Sequence, residues 1–458
     1  MIPYDAIYFV GAGGIGMSAL IRYFLSKGKR VGGYDRTPSG LTEQLIAEGA
    51  AIHYEDNIAL IPDIFKDKER TLIVFTPAVP QDHTELTFFK NKGFVILKRA
   101  QVLGEITRQS RGICISGTHG KTTTSSLTAH LLKQSHVDCN AFLGGILKNY
   151  NSNLLLSDTS DLTVIEADEY DRSFHQLSPY MAVITSADPD HLDIYGTPEA
   201  YEESFDHFTS LIRPGGVLLM KKGIQVHPRL QENVRLYTYS MENGGDFYAE
   251  NIRIGHGEIL FDYVAPEEKI QDIRLGVPLK INIENGIAAI SIARLNGVCP
   301  EEIKQAMTSF QGAERRFDFH LKTDRIVLID DYAHHPEELK ASISSVRALY
   351  RERKLTVIFQ PHLYSRTKDF YPEFAQSLSL ADEVILLDIY PAREAPIPGV
   401  TSQLILDEIS LADKQLCTKE TLLTVIEKGN WDVVLMAGAG DIDGLVNPVQ
   451  EILARKTV

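Results

Sequence analysis

The sequence predicts an α/β chain of three successive units, each a parallel sheet flanked by helices. Three observations carry this. Buried-strand runs alternate with helical apolar spacing, as in residues 6–10 followed by Met17, Leu20, Ile21 and Phe24. The pattern begins afresh near residues 6, 112 and 325. The 458 residues also exceed what one core organises, since domains run at roughly 150 residues.

In the first unit, strands are expected at 6–10, 30–34, 71–75 and 94–97. In the second, a strand at 112–116 runs into a glycine-rich loop and a helix bearing Leu127 and Leu131, and strands at 162–165 and 181–185 follow. Between about 235 and 280 the pattern turns short and alternating, which predicts extra antiparallel strands, with 258–264 the clearest. Two helices close this unit, the second beginning near Pro300 with Ile303, Met307 and Phe310 at helical spacing. In the third, a strand at 325–329 precedes a helix opened by Pro336, with Leu339, Ile343 and Val346 on one face. Strands at 355–359, 383–387 and 432–436 complete it. The domains are therefore placed at 1–108, 109–317 and 318–458.

Composition limits the function. Hydrophobic residues make up 44% and charged residues 23%, as in folded globular chains. The net charge of −15 argues against a nucleic-acid surface, which needs clustered Lys and Arg. No apolar run approaches the roughly 18 residues of a membrane helix, and the first residues enter a strand pattern directly, so a cytoplasmic location is expected. Cys114, Cys139, Cys299 and Cys417 lack paired spacing, which speaks against a disulfide framework or a structural zinc.

Chemistry enters at Gly117-Thr118-His119-Gly120-Lys121-Thr122. Glycines let backbone N–H groups close on phosphate oxygens, a Lys neutralises the outer phosphates, and the adjacent hydroxyl holds Mg²⁺. The strand before and the helix after supply the setting such a loop requires. The generic pattern would put its first glycine where Ile115 stands, so this is a shortened form. Earlier, Gly11-Ala12-Gly13-Gly14-Ile15-Gly16 follows a strand, and Asp35 ends the next one. Alone, that motif reads as the dinucleotide site of an NAD-dependent dehydrogenase, although what it specifies is a diphosphate on a helix N-terminus.

The loop 117–123, Thr123 included, resembles that of the Mur ligases, which join amino acids to a nucleotide-linked muramic acid. The resemblance implies a Rossmann-like first domain for a UDP-sugar, a central P-loop ATPase-type domain and a Rossmann-like third domain for the amino acid. Glu166, at a strand end, and His191, in Asp190-His191-Leu192-Asp193, then become ligands of a second Mg²⁺ beside Thr122. No Lys occurs between Tyr201 and Leu211, so the carbamylated lysine of several relatives is absent. Asn282 and Asn285, three residues apart on a helix face, would read adenine, although Ile281 stands where the family usually has His. Arg316 would reach the terminal phosphate, and Asp331 would help the domains close.

By the same resemblance Gly11, Gly13, Gly14, Gly16 and Asp35, with Thr76-Pro77-Ala78, hold the UDP-sugar. In the third domain four polar segments follow strands: 330–336, 360–367, 388–394 (ending Arg393-Glu394) and 438–442. They are most similar to the alanine-adding branch, which implies Tyr332, His334 and Arg366 around the amino acid, with Arg366 on its carboxylate. A second Arg is expected where Leu363 stands. Lys121, Arg316 and His334 are the catalytic expectations. ATP, UDP-N-acetylmuramate and L-alanine are the expected substrates, Mg²⁺ the cofactor, and a monomer or weak homodimer the expected state. The rival within the family recycles murein tripeptide onto the same nucleotide.

Overall fold

The computed structural model describes residues 2–80, 82–392 and 394–457, with Asp193 by its backbone; Arg393 lies outside the described residues. Three large sheets account for the three sequence starts. The first has the order β3-β2-β1-β4-β5, all parallel, with β1 Ala6–Val10, β2 Arg30–Tyr34, β3 Ala51–His53, β4 Thr71–Phe75 and β5 Val95–Lys98. Every residue of β1 is buried, because helices cover both faces.

The second sheet has the order β12-β11-β10-β6-β9-β7-β8. Its strands are β6 Arg111–Ser116, β7 Asn140–Leu147, β8 Ser152–Leu155, β9 Leu162–Glu166, β10 Met181–Ile184, β11 Val217–Lys221 and β12 Arg235–Tyr239. Only β8 is antiparallel to its neighbour. The central β6 lies between β9 and β10, so the segments leaving three adjacent strands meet at one edge. A three-stranded sheet follows, of β13 Tyr248–Gly255, β14 Glu258–Ala265 and β15 Glu268–Arg274, where short alternating strands are expected from sequence.

The last sheet runs β16-β17-β21-β18-β19-β20, parallel except at β16. It comprises β16 Asp318–Lys322, β17 Val327–Asp331, β18 Leu355–Phe359, β19 Glu383–Leu386, β20 Lys414–Leu416 and β21 Val433–Ala437. Expected strand limits agree within about two residues. The hairpin β7–β8, the strand β11, the short β3 and β20, and the antiparallel β16 are additions.

By packing, the chain forms two compact units: Met1–Glu250 with Asp262–Gln271 and Glu284–Phe310, and Asn251–Phe261 with Asp272–Ile283 and Gln311–Val458. In the first, one core runs from Ile7, Phe9 and Leu20 to Ile165, Tyr201 and Phe208, so the first two sheets share it. Asn153, fully buried, seals the contact: its amide donates to Ile15 O (2.6 Å) and Ser18 Oγ (2.9 Å) and accepts from Arg22 (2.8 Å). No helix among the described residues is long and apolar enough to cross a membrane.

Candidate active site

The phosphate loop leaves β6 at Ser116 and enters the helix Lys121–Lys133. Gly117 (φ +138°) and Gly120 (φ +82°) sit where L side chains are strained. A Cβ at Gly117 would lie 2.8 Å from Ser186 N, and one at Gly120 would lie 2.8 Å from Asn285 Oδ1. The segment after β10 fixes the loop: His119 N donates to Ser186 Oγ (2.8 Å), Thr185 Oγ1 to His119 O (2.5 Å) and Thr118 Oγ1 to Asp188 O (2.7 Å). Lys121 Nζ folds back over the loop, donating to Gly117 O (2.6 Å) and pairing with Glu169 (2.8 Å). This places a cation where the phosphates of a nucleotide would lie.

Thr122 Oγ1 donates to Glu166 Oε1 (3.2 Å) at the end of β9. Burial pushes the Glu166 carboxyl up, against the nearby Lys121 charge. Gly144 in β7 is the close neighbour on the other side, where a Cβ would fall 2.6 Å from the carboxylate carbon. His191 (φ +52°) has its Nε2 3.9 Å from Glu169 Oε1, so the buried Glu169 joins the set expected from sequence. Among the described residues no three His, Cys, Asp or Glu side chains form a ready metal cluster. The candidate donors Thr122, Glu166 and His191 are hard or borderline, and a half-buried strand-end carboxylate beside a P-loop hydroxyl suits Mg²⁺.

Asn282 and Asn285 are both buried in the helix Ile281–Leu295. Asn285 Oδ1 accepts from Thr124 (3.2 Å), which braces the phosphate loop, while Asn282 Nδ2 donates to Val277 O (3.2 Å). Ile281 is exposed at the helix start.

At the first glycine loop, Gly11 (φ +92°) leaves room for Thr76, whose Cγ2 would be 2.6 Å from a Cβ there. Gly14 caps the helix Ile15–Ser26, whose first turn has no acidic side chain. Asp35 turns back onto the loop: its Oδ2 accepts from Gly13 N (2.6 Å), leaving Oδ1 to accept from Thr37 N (3.2 Å). Pro77 and Ala78 are exposed. A cavity of about 280 Å³ runs from Gly14, Gly16 and Thr76 past Arg99 to Gly144, Glu166 and Asp168, connecting this loop to the acidic end of β9.

The second unit assembles the other polar segments. After β17, His334 Nδ1 donates to Tyr332 O (2.9 Å), which leaves Nε2 with its lone pair. Burial keeps this imidazole's pKa below its usual value, with Glu338 opposing. Glu338 accepts from His334 N and His335 N and so braces the start of the helix Pro336–Leu349. Arg366, in the first turn of the helix Tyr364–Leu378, has an Nη1 with no hydrogen-bond partner among the described residues. His362, which sequence reasoning passed over, stacks on Tyr390 (5.7 Å) and meets His334 edge-on (6.0 Å). Its Nδ1 also lacks a hydrogen-bond partner among the described residues. Leu363 holds a positive φ of +72° at the helix entry.

The Gly438–Asp441 segment closes on Gln360, which donates to Asp441 (2.8 Å). Both linker arginines lie over the Tyr332 ring, Arg315 at 5.1 Å and Arg316 at 5.6 Å, and Arg315 is also engaged by Asp330 (3.5 Å) and Gly438 O (2.6 Å). Burial pushes the Asp331 carboxyl up and that of Asp330 to about 6.

Three family models match in series: "Mur ligase family, catalytic domain" over residues 6–111, "Mur ligase middle domain" over 115–293, and "Mur ligase, glutamate ligase domain" over 315–440. A UDP-N-acetylmuramate–L-alanine ligase of Parabacteroides distasonis is 70% identical over 98% of both chains. The chain belongs to the Mur ligase family. Another relative of the same name, from Porphyromonas gingivalis, is 59% identical over 98% of both chains. Among solved structures, the UDP-N-acetylmuramate–alanine ligase MurC of Thermotoga maritima superposes with a TM-score of 0.81 at 26% identity, covering 99% of each chain. A murein peptide ligase of Psychrobacter arcticus shares the fold at a TM-score of 0.65 and 21% identity, over 98% of each chain. With the family shown, the dehydrogenase reading of the first glycine loop falls away.

Proposed function

We propose that this Mur ligase joins L-alanine to the carboxylate of UDP-N-acetylmuramate in the cytoplasm, converting ATP to ADP and phosphate. The observation that carries the reading is the Lys121–Glu169 and Thr122–Glu166 arrangement on the phosphate loop. It stands in a chain 70% identical to a protein of that activity. Residues 1–108 are assigned to the UDP-sugar, 109–317 to ATP and 318–458 to the amino acid.

The sugar's carboxylate oxygen attacks the γ-phosphorus and ADP leaves, giving an acyl phosphate. The alanine nitrogen then attacks the acyl carbon, the C–O bond to phosphate breaks, and an amide forms. Lys121 bears on the transferring phosphoryl group, and Arg316 is assigned to its terminal oxygens, since this transfer is governed by charge placement. Mg²⁺, held by Thr122, Glu166 and His191, would supply charge neutralisation at the phosphates. His334, with Nδ1 tied to a carbonyl and Nε2 unprotonated, takes the proton from the alanine ammonium. Arg366 pairs with the alanine carboxylate through its Nη1, which has no partner among the described residues.

The test is ADP release with UDP-N-acetylmuramate and each of several amino acids and murein tripeptide. Turnover with L-alanine far above that with tripeptide supports the reading; the reverse order replaces alanine with the peptide.

A further inference from the structure

Directly after β9 runs Ala167-Asp168-Glu169-Tyr170-Asp171, whose three carboxylates go to three different cations. Glu169 holds Lys121 of the phosphate loop (2.8 Å), Asp168 holds Arg99 (3.5 Å) and Asp171 holds Lys98 (2.6 Å). Lys98 and Arg99 close β5 and open the helix Arg99–Arg108, beside the first glycine loop. The segment thus ties the two phosphate-binding loops together. It does so under strain: Asp171 (φ +53°) and Arg172 (φ +52°) are consecutive left-handed residues without being glycine.

Arg99 is the informative member. Its guanidinium lies so close to Gly16 that a Cβ there would push the Arg99 side chain aside. It therefore sits at the N-terminal end of the helix Ile15–Ser26, where the backbone dipole is already positive. A cation in that place is unfavourable unless an anion joins it. Asp168, the one ion-pair partner of Arg99 among the described residues, is an imperfect match at 3.5 Å, and both side chains line the 280 Å³ cavity.

We infer that Arg99 is a substrate-binding residue that exchanges Asp168 for the diphosphate of the nucleotide-sugar, and that this exchange couples the nucleotide-sugar site to the ATP site. The inference rests on the proposed substrate. Asp168 and Glu169 each occupy the cation that a phosphate group will take. When the diphosphate draws Arg99 away, Asp168 is left uncompensated two residues from Glu166. The negative potential there rises and favours a Mg²⁺-bound nucleotide. By reciprocity, that nucleotide favours the sugar to the same degree.

Calorimetric titration of UDP-N-acetylmuramate, with and without Mg²⁺-ADP, tests this on wild type, Arg99→Ala, Arg99→Lys and Asp168→Asn. Wild type is expected to bind the nucleotide-sugar at least about 5-fold more tightly when Mg²⁺-ADP is present. Arg99→Ala should weaken nucleotide-sugar binding 10-fold or more, as expected on losing a charge-assisted contact to phosphate. Arg99→Lys should recover part of it, which a purely structural role would not predict. Asp168→Asn should bind the nucleotide-sugar more tightly than wild type without Mg²⁺-ADP and show little gain when it is added. Unchanged binding by Arg99→Ala, or wild-type coupling in Asp168→Asn, overturns the inference while leaving the proposed substrate intact. Failure of wild type to bind UDP-N-acetylmuramate overturns both.

Discussion

Gly144→Ala is a one-carbon change with a computable consequence. The glycine lies in β7 with no positive φ, so alanine is conformationally acceptable there. The added Cβ, however, would fall 2.6 Å from Glu166 Cδ and 2.5 Å from Oε1, where ordinary contact begins at 3.4 Å. The carboxylate must therefore retreat by about 0.8 Å or rotate, away from its hydrogen bond with Thr122. A displacement of roughly 1 Å in a group that positions a reacting centre costs on the order of 100-fold in rate. Stability should hardly fall, because Gly→Ala at a tolerated position restricts the unfolded chain and offsets the local crowding by about 0.4–1 kcal/mol. The assay is steady-state ADP release at saturating substrates with varied Mg²⁺, paired with thermal melting. The expected result is kcat reduced about 10- to 100-fold and a higher Mg²⁺ requirement at a melting temperature near wild type. Wild-type kcat and Mg²⁺ dependence would refute the placement of Glu166 at the reacting phosphates.

Lys121→Ala should lower kcat by more than about 10-fold, or roughly 1.4 kcal/mol. It should also lower the melting temperature, since Glu169 is left buried and unpaired; adding Glu169→Gln should restore stability but not activity. Arg366→Ala should raise the KM for L-alanine by roughly 30-fold or more, from the 2–4 kcal/mol lost with a charge-assisted pair, while the KM values for ATP and UDP-N-acetylmuramate stay near wild type. Glu85, fully buried against Tyr8 (2.7 Å) and His53 (3.2 Å), has its carboxyl pushed up from 4.5 to about 7 by burial. The folded state keeps a proton that the unfolded chain loses, so this contribution is fully present below about pH 4.5 and is lost as pH rises to about 7. Glu85→Gln should therefore melt like wild type at pH 5 and be more stable at pH 8, by about 2–3 kcal/mol, which melting curves at the two pH values would check.

The three-sheet plan was legible because buried parallel strands are near-continuous apolar runs, and across 6–10 and 355–359 Thr356 alone breaks the run. The phosphate loop was legible because its chemistry demands particular residues in order. The β7–β8 hairpin was not, since Gly144-Gly145 inside a strand reads as a turn, although Gly144 is required by the approach of Glu166. Arg99 was passed over because Lys98-Arg99 looks like a solvated pair until the fold brings Gly16 and Asp168 to it. His362 lay in a polar segment noted for its Arg and Leu363, and its stacking on Tyr390 depends on two strand ends meeting. Asn285 was recognised as important, yet its side chain turns to the phosphate loop, a direction that helix spacing does not fix.

The account's central claim is that one chain activates the UDP-N-acetylmuramate carboxylate and transfers it to L-alanine. The most direct measurement is product analysis by mass spectrometry after incubation with ATP, Mg²⁺, UDP-N-acetylmuramate and equal concentrations of L-alanine, glycine, L-serine and murein tripeptide. The account predicts UDP-N-acetylmuramoyl-L-alanine as the dominant product, with one ADP formed per amide. A dominant tripeptide adduct, or ADP release without any amide, would contradict it.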